Sequence, residues 1–356
     1  MEDAVSRRAK SCGLTLEVRS VPRGWSQVID RALGDPPRAE APHRAEVPQP
    51  GRDADVVVQL ESSREPFEVH GLTPLTRGAF ADGRRVVLTD ACASGLDLLV
   101  EPSPRAVSVT ARSRPGPSHR ALRLVAPGRT ELLWRAALLQ YPTLWWAGVG
   151  GAVPLHVSAA QVAGLGVLLA GPGGVGKSTL VAGLGPDQGA SVSDNLCTYD
   201  GAMIHGLREP RRVDAGPVRA GRRSMPHGRV EQPWDGTLPA MTPSLLLVLR
   251  RGSGARPSVR PVPPVVAARA LATGTYAAGE LRRYWAFAAT LALGTGLGPA
   301  HPSIVGESER LARSLDCVEV VLPARPGTSL VELVDRAEQA ARAGRATNPG
   351  MTGARA

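Results

Sequence analysis

Over the first third of the chain, apolar and polar residues alternate in short runs. Residues 14–20, 55–60, 85–89, 96–100 and 106–111 each read as strands, separated by turns containing Gly, Pro or Ser. This spacing predicts a small β-rich N-terminal part over 1–120. Within it, residues 34–53 are rich in Pro, Arg and Ala without periodicity and read as a loop. Near residue 150 the pattern changes to strand, glycine loop, helix. Residues 166–170 (GVLLA) form a continuous apolar run, as a buried parallel strand should. A short helix over 178–184 ends at Gly185 and Pro186, and a strand over 190–193 ends at Asp194. Runs 196–199 and 203–205 flank Asp200-Gly201, a hairpin signal. Residues 244–249 and 317–322 are further buried strands. Helices are expected over 130–139 and over 280–293, the latter with Leu281, Trp285, Ala288 and Ala292 on one face. Ser329 and Glu332 form a capping box that opens a final helix. The pattern gives an α/β domain over 121–343 and a disordered tail over 344–356.

Composition sharpens this picture. The chain has 356 residues, 43% of them apolar, enough for one large domain or two ordinary ones. Its 42 basic and 32 acidic residues give a net charge of +10. Only Lys10 and Lys177 are lysines; every other basic residue is arginine. Arginine spread over the surface accounts for the charge, so nucleic-acid binding is the weakest reading. The 6 Trp, 4 Tyr and 3 Phe are too few for a base-stacking platform, and Trp145, Trp146 and Trp285 read as core. The four cysteines are too far apart in sequence for a CxxC or zinc pattern, which suits a reducing cytoplasm. The first twenty residues lack the apolar run of a signal peptide. Residues 136–176 carry no Asp, Glu, Lys or Arg, but Pro142, Gly148, Gly150, Gly151 and Pro154 interrupt them. Buried strands and a buried turn fit that stretch better than a membrane span.

The chemistry concentrates at residues 171–178, Gly-Pro-Gly-Gly-Val-Gly-Lys-Ser. This is GxxxxGK[ST], between a buried strand and a helix as the motif requires. Glycines let successive backbone N–H groups curl toward phosphate oxygens. The helix that follows turns its positive end to the same phosphates. Lys177 supplies a mobile point charge, which the larger planar fork of arginine would replace poorly. Ser178 offers a hydroxyl to Mg²⁺. The expected nucleotide site is Gly171, Gly173, Gly174, Val175, Gly176, Lys177, Ser178 and Thr179, with ATP and Mg²⁺ as ligands. Neither a guanine-reading NKxD motif nor an LSGGQ signature accompanies it. Asp194, at the end of a strand expected beside the loop strand, is placed where α/β sheets build their sites. The basic run Arg208, Arg211, Arg212, Arg219, Arg222, Arg223 and Arg229, with His227, reads either as a solvated surface or as a site for an acceptor phosphate or acidic peptide.

The strings LHVSAAQVAGLGVLLAGPGGVGKSTL and ASVSDNLCTYDG resemble the HPr kinase/phosphorylase family over about residues 155–215. The resemblance implies a P-loop kinase domain of the HPr kinase / phosphoenolpyruvate-carboxykinase type. It also implies ATP/Mg-dependent phosphorylation of a seryl hydroxyl in a protein or peptide acceptor, and often a homo-oligomer. His156 matches the family's histidine before the loop. Asp194, seventeen positions after Lys177, matches the first acid of its acidic pair. His156 and Asp194 are therefore the candidate catalytic residues, and Ser178 and Asp194 the candidate metal ligands. The second acid of the pair is Asn195 here. The family's later Glu-x-Arg signature is echoed loosely by Glu209-Pro210-Arg211, which adds Glu209 as a metal or water ligand. The alternative is a catalytically degenerate ATP-binding accessory or regulatory protein of a biosynthetic pathway, a reading motivated by Asn195.

Overall fold

The computed structural model describes residues 6–19, 23–33, 54–214, 225, 228–232, 236–324 and 327–347. The expected loop over 34–53 and residues 348–356 of the expected tail lie outside them. The chain is mixed α/β and forms two compact units, each built from separate stretches. One unit comprises Met1–Gly151, Leu207–Trp234 and Glu280–Pro302; the other comprises Ala152–Gly206, Asp235–Gly279 and Ser303–Ala356. The sequence pattern instead places a single division near residue 120.

The first unit holds an eight-stranded sheet in the order Arg7–Ser11, Leu14–Arg19, Val56–Glu61, Val107–Ser113, Leu96–Pro102, Val86–Leu88, Ala79–Ala81 and Thr73–Thr76. The alternation read from the sequence is the alternation of burial. Val56, Val58 and Leu60 point into the core, while Gln59 between them is exposed. The stretch expected to be a helix over 130–139 followed by strands is helical throughout, as Pro127–Arg135, Ala136–Gln140 and Tyr141–Val149. Its middle segment widens to the i→i+5 pattern, with the Tyr141 N–H bonded to the Ala136 carbonyl. The widening falls just before Pro142, which has no N–H to continue the regular ladder. Helix Tyr284–Thr295, expected over 280–293, also belongs to this unit. Its Tyr284 and Phe287 rings both lie 5.7 Å from the Tyr141 ring. Trp145 is fully buried.

The second unit holds a six-stranded sheet in the order Gly189–Ser193, Ser158–Val162, Leu165–Ala170, Leu245–Arg251, Asp316–Leu322 and Ser258–Pro261. The three strands Leu165–Ala170, Leu245–Arg251 and Asp316–Leu322 are mutually parallel, and Val167, Leu168 and Leu169 are wholly buried. A four-stranded sheet of Ala240–Met241, Ile204–Gly206, Cys197–Tyr199 and Val153–Leu155 completes the unit's strands. In its hairpin, Asp200 Oδ1 accepts from the N–H groups of Ala202 and Met203, at 2.9 and 2.7 Å. The capping serine is in place: Ser329 Oγ accepts from the Glu332 N–H at 3.1 Å. The helix that it opens, Leu330–Thr347, passes the expected start of the tail at 344. Among the described residues, no helix is long and apolar enough to cross a membrane.

Two glycines allow this sheet to form. A Cβ on Gly166, in the loop strand, would lie 2.0 Å from the Thr242 carbonyl oxygen. One on Gly189 would lie 2.1 Å from the Gln161 oxygen. Neither neighbour is a side chain that could swing away, so the backbone itself would have to move. Gly166→Ala is therefore expected to destabilise the protein by about 3 kcal/mol, the upper part of the overpacking range. Urea unfolding monitored by circular dichroism measures it, and an unchanged midpoint would refute the close approach.

Candidate functional site

The loop strand delivers the chain to Gly171 at the carboxyl end of the parallel strands, the edge where open α/β sheets bind ligands. Three glycines of the loop take backbone angles that L-residues avoid: φ is 151° at Gly171, 76° at Gly174 and 114° at Gly176. A Cβ on Gly171 would also lie 2.7 Å from the Leu249 carbonyl oxygen. Gly173 and Gly174 form the exposed tip, and a Cβ on Gly173 would meet nothing within 4 Å. Val175 tucks the loop down into the core, 2% exposed. The Val175 N–H closes the turn on the Pro172 carbonyl at 3.3 Å.

Helix Lys177–Ala182 begins directly at the loop. The N–H groups of its first turn have no partner four residues back within the helix. Lys177 is only 6% exposed, and its Nζ donates to the Gly171 carbonyl at 2.9 Å and to the Pro172 carbonyl at 3.4 Å. The ammonium is thus held over the loop's own backbone. Ser178 is half-buried and Thr179 exposed.

The strand ending at Asp194 is not the loop strand's direct neighbour, as expected, but is one strand further out. Ser158–Val162 lies between them and pairs antiparallel with both. Ala159 faces Leu168 on one side and Ser193 on the other. Two antiparallel steps restore a common direction, so Asp194 leaves the sheet at the same edge as Gly171. Their backbones are two strand spacings apart, about 10 Å. Ser158 Oγ donates to the Asp194 carbonyl, and Asp194 itself is 2% exposed.

His156 sits at the same edge. Its N–H donates to Thr275 Oγ1 at 3.1 Å, its Nδ1 lies 3.1 Å from the Gly274 carbonyl, and its Nε2 lies 2.9 Å from Asn195 Oδ1. A carbonyl can only accept, so Nδ1 carries a hydrogen. Nε2 then either donates to the Asn195 oxygen, making the ring an imidazolium, or accepts from the amide nitrogen with the amide turned over. Both ring nitrogens are engaged in either arrangement. Asn195 is 7% exposed, and its Nδ2 has no hydrogen-bond partner among the described residues in the first arrangement.

Helix Pro264–Tyr276 supplies the remaining contacts, and sequence reasoning missed it. A Cβ on its Gly274 would lie 3.9 Å from the His156 oxygen and 4.0 Å from the Gly171 oxygen, so one glycine touches both halves of the site. Thr275 is wholly buried and bonds back to the Leu271 carbonyl at 2.9 Å. The visible signal was a Gly-Thr pair late in an alanine-rich helical stretch.

Glu209 belongs to the other unit, where it is buried with a carboxylate oxygen 3.8 Å from Arg212 Nη2. Arg212 also pairs with Glu280 at 2.7 Å. Arg208 donates to the Leu33 carbonyl at 2.6 Å, and Arg211 to Gln232 at 3.0 Å. These three arginines are thus tied into their own unit rather than forming a solvated surface. Arg219, Arg222, Arg223 and His227 lie outside the described residues. Among the described residues, no cluster of three or more His, Cys, Asp or Glu is arranged to hold a metal. Ser178 at the loop and Asp194, two strand spacings from Gly171, carry oxygen donors of the kind Mg²⁺ takes, one or two from the protein with phosphate oxygens and water completing the shell.

No protein-family profile matches the chain, and no curated protein does. Among solved structures it is similar to the Hpr(Ser) kinase/phosphatase from Coxiella burnetii, at 15% identity and a TM-score of 0.26. The alignment covers 55% of this chain and 93% of that one. A superposition this loose leaves the functional reading to the residues themselves.

Proposed function

We propose that this chain is a Mg-ATP-dependent phosphotransferase resembling HPr kinase, which phosphorylates a hydroxyl, a serine of a protein or peptide. The observation that carries the reading is the GxxxxGKS sequence at the carboxyl edge of a buried parallel strand, with Lys177 buried over the loop. The backbone of Gly173–Gly176 and the Lys177 ammonium hold the phosphates. Ser178 and Asp194 hold Mg²⁺, which when bound neutralises charge on the transferred phosphoryl oxygens. Asp194 takes the hydroxyl proton as the new O–P bond forms and the bond to the nucleoside diphosphate breaks. His156, with both nitrogens engaged, positions Asn195 beside Asp194. Nearly all the rate enhancement in such a site comes from placement and charge. An acceptor protein or peptide and a homo-oligomeric state follow from the same resemblance, and the scattered cysteines suit a cytoplasmic location.

Asn195 favours a second reading. An amide cannot accept the acceptor's proton, and one carboxylate is left to hold the metal and act as base. On this reading the chain binds ATP as an accessory or regulatory protein and transfers nothing.

Two measurements separate these outcomes. Mg-ATP at a hundred times its Kd contributes about 2.7 kcal/mol to the folded state, a few degrees of Tm in a chain of this size. The expected result is a shift of this order in the wild type and none in Lys177→Ala; a wild type that melts at the same temperature with and without Mg-ATP ends both readings. Asn195→Asp restores a carboxylate against His156. Phosphoryl transfer to serine-containing peptides is expected to rise roughly 100-fold, the scale of a positioned general base. A wild type that already turns over briskly excludes the accessory reading.

A further inference from the structure

Beside the phosphate loop lies a pocket of about 270 Å³ that the motif does not explain. It is lined by Thr179 and Leu180 of helix Lys177–Ala182 and by Leu322, Thr328 and Leu330. Leu180, Leu322 and Leu330 give it an apolar lining, and Thr328 adds a hydroxyl that can donate or accept. Arg251 closes the end nearest the loop. It is the last residue of strand Leu245–Arg251, at the ligand-binding edge of the sheet. Its Nη1 donates to the Pro323 carbonyl at 2.9 Å, and its Nη2 lies 3.3 Å from where a Cβ on Gly176 would be. The preceding residue, Arg250, is paired with Glu319 at 2.8 Å, whereas no carboxylate faces Arg251 among the described residues. A guanidinium without an acid is thus pinned between the phosphate loop and an apolar slot.

We infer that this pocket takes the base of the nucleotide, with Arg251 as the residue that stacks on its face. This rests on the reading of residues 171–178 as a phosphate site. Three observations converge on a flat aromatic ring. Gly176 of the loop itself lines the slot, so phosphates held on the loop would lie beside it. Its lining is apolar with few polar groups, as in pockets that bury a ring and orient it by its edge. Its one cation is planar and weakly hydrated, suited to stacking on an aromatic face. A site for phosphates alone would not need the leucines.

The test compares Mg-ATP with Mg-tripolyphosphate by isothermal titration calorimetry in the full-length protein. Wild type is expected to bind ATP at least tenfold more tightly than tripolyphosphate. Thr328→Trp, which fills the slot, and Arg251→Ala, which removes the stacking plane, are each expected to erase most of that advantage. Tripolyphosphate affinity should stay within twofold in both. Equal affinity for the two ligands in the wild type, or an ATP advantage that survives both substitutions, overturns the base pocket and leaves the phosphate loop standing. If Arg251→Ala weakens both ligands alike, Arg251 grips phosphate and its stacking role is overturned. Binding of neither ligand to the wild type overturns the phosphate site and the pocket together.

Discussion

The candidate site depends on one shared ladder of hydrogen bonds. Strand Ser158–Val162 is paired on both sides, with Leu165–Ala170 and with Gly189–Ser193, and it runs antiparallel to each. The register is regular against Leu165–Ala170, and against Gly189–Ser193 it steps by one residue between Ala159 and Ala160, a bulge that sets Ser193 opposite Ala159. Ala159, Ala160 and Val162 are fully buried, so both faces of this strand are covered. With this register, Asp194 leaves the sheet at the level of Leu169, two residues short of Gly171 and at the same edge. His156, two residues before this strand, is carried to the same edge. Gly166 and Gly189 then permit the backbone approaches that the register demands.

What could be read from the sequence follows from how local each signal is. The strands Leu14–Arg19, Val56–Glu61, Leu96–Pro102 and Leu165–Ala170 were legible because alternation or an unbroken apolar run is written into consecutive residues. The turn from strand to helix at residues 171–178 was legible for the same reason, since eight adjacent residues carry it. Helix Tyr141–Val149 was not, because its Pro142 and neighbouring glycines look like breakers until the widened turn before Pro142 is seen. The two discontinuous units were not legible either, since membership of 207–234 and 280–302 is decided by packing between distant stretches.

The site divides along the same line. Residues 171–178 are singled out by their spacing, and Asp194 by its place at a strand end and by the family resemblance. The tie between His156 and Asn195 needed the fold, because thirty-nine residues separate the partners. Gly274 and Thr275 come from a helix with no chemical signature of its own. Arg251 had a signal that was not used: it ends an apolar run much like the loop strand's, and the end of such a strand is where a parallel sheet exposes its chemistry.

The placement of strand Asp316–Leu322 bears on how the molecule is made. It is an interior strand, bonded to Leu245–Arg251 on one side and Ser258–Pro261 on the other. The sheet behind the 171–178 loop therefore stays incomplete on the ribosome until residue 322 has been synthesised. Parallel pairings between such distant segments also pay their loop-closure entropy before any contact repays it, which slows folding. For that interval the apolar strand behind the loop is exposed on the nascent chain, so this half of the protein is the one that most needs protection from aggregation during synthesis.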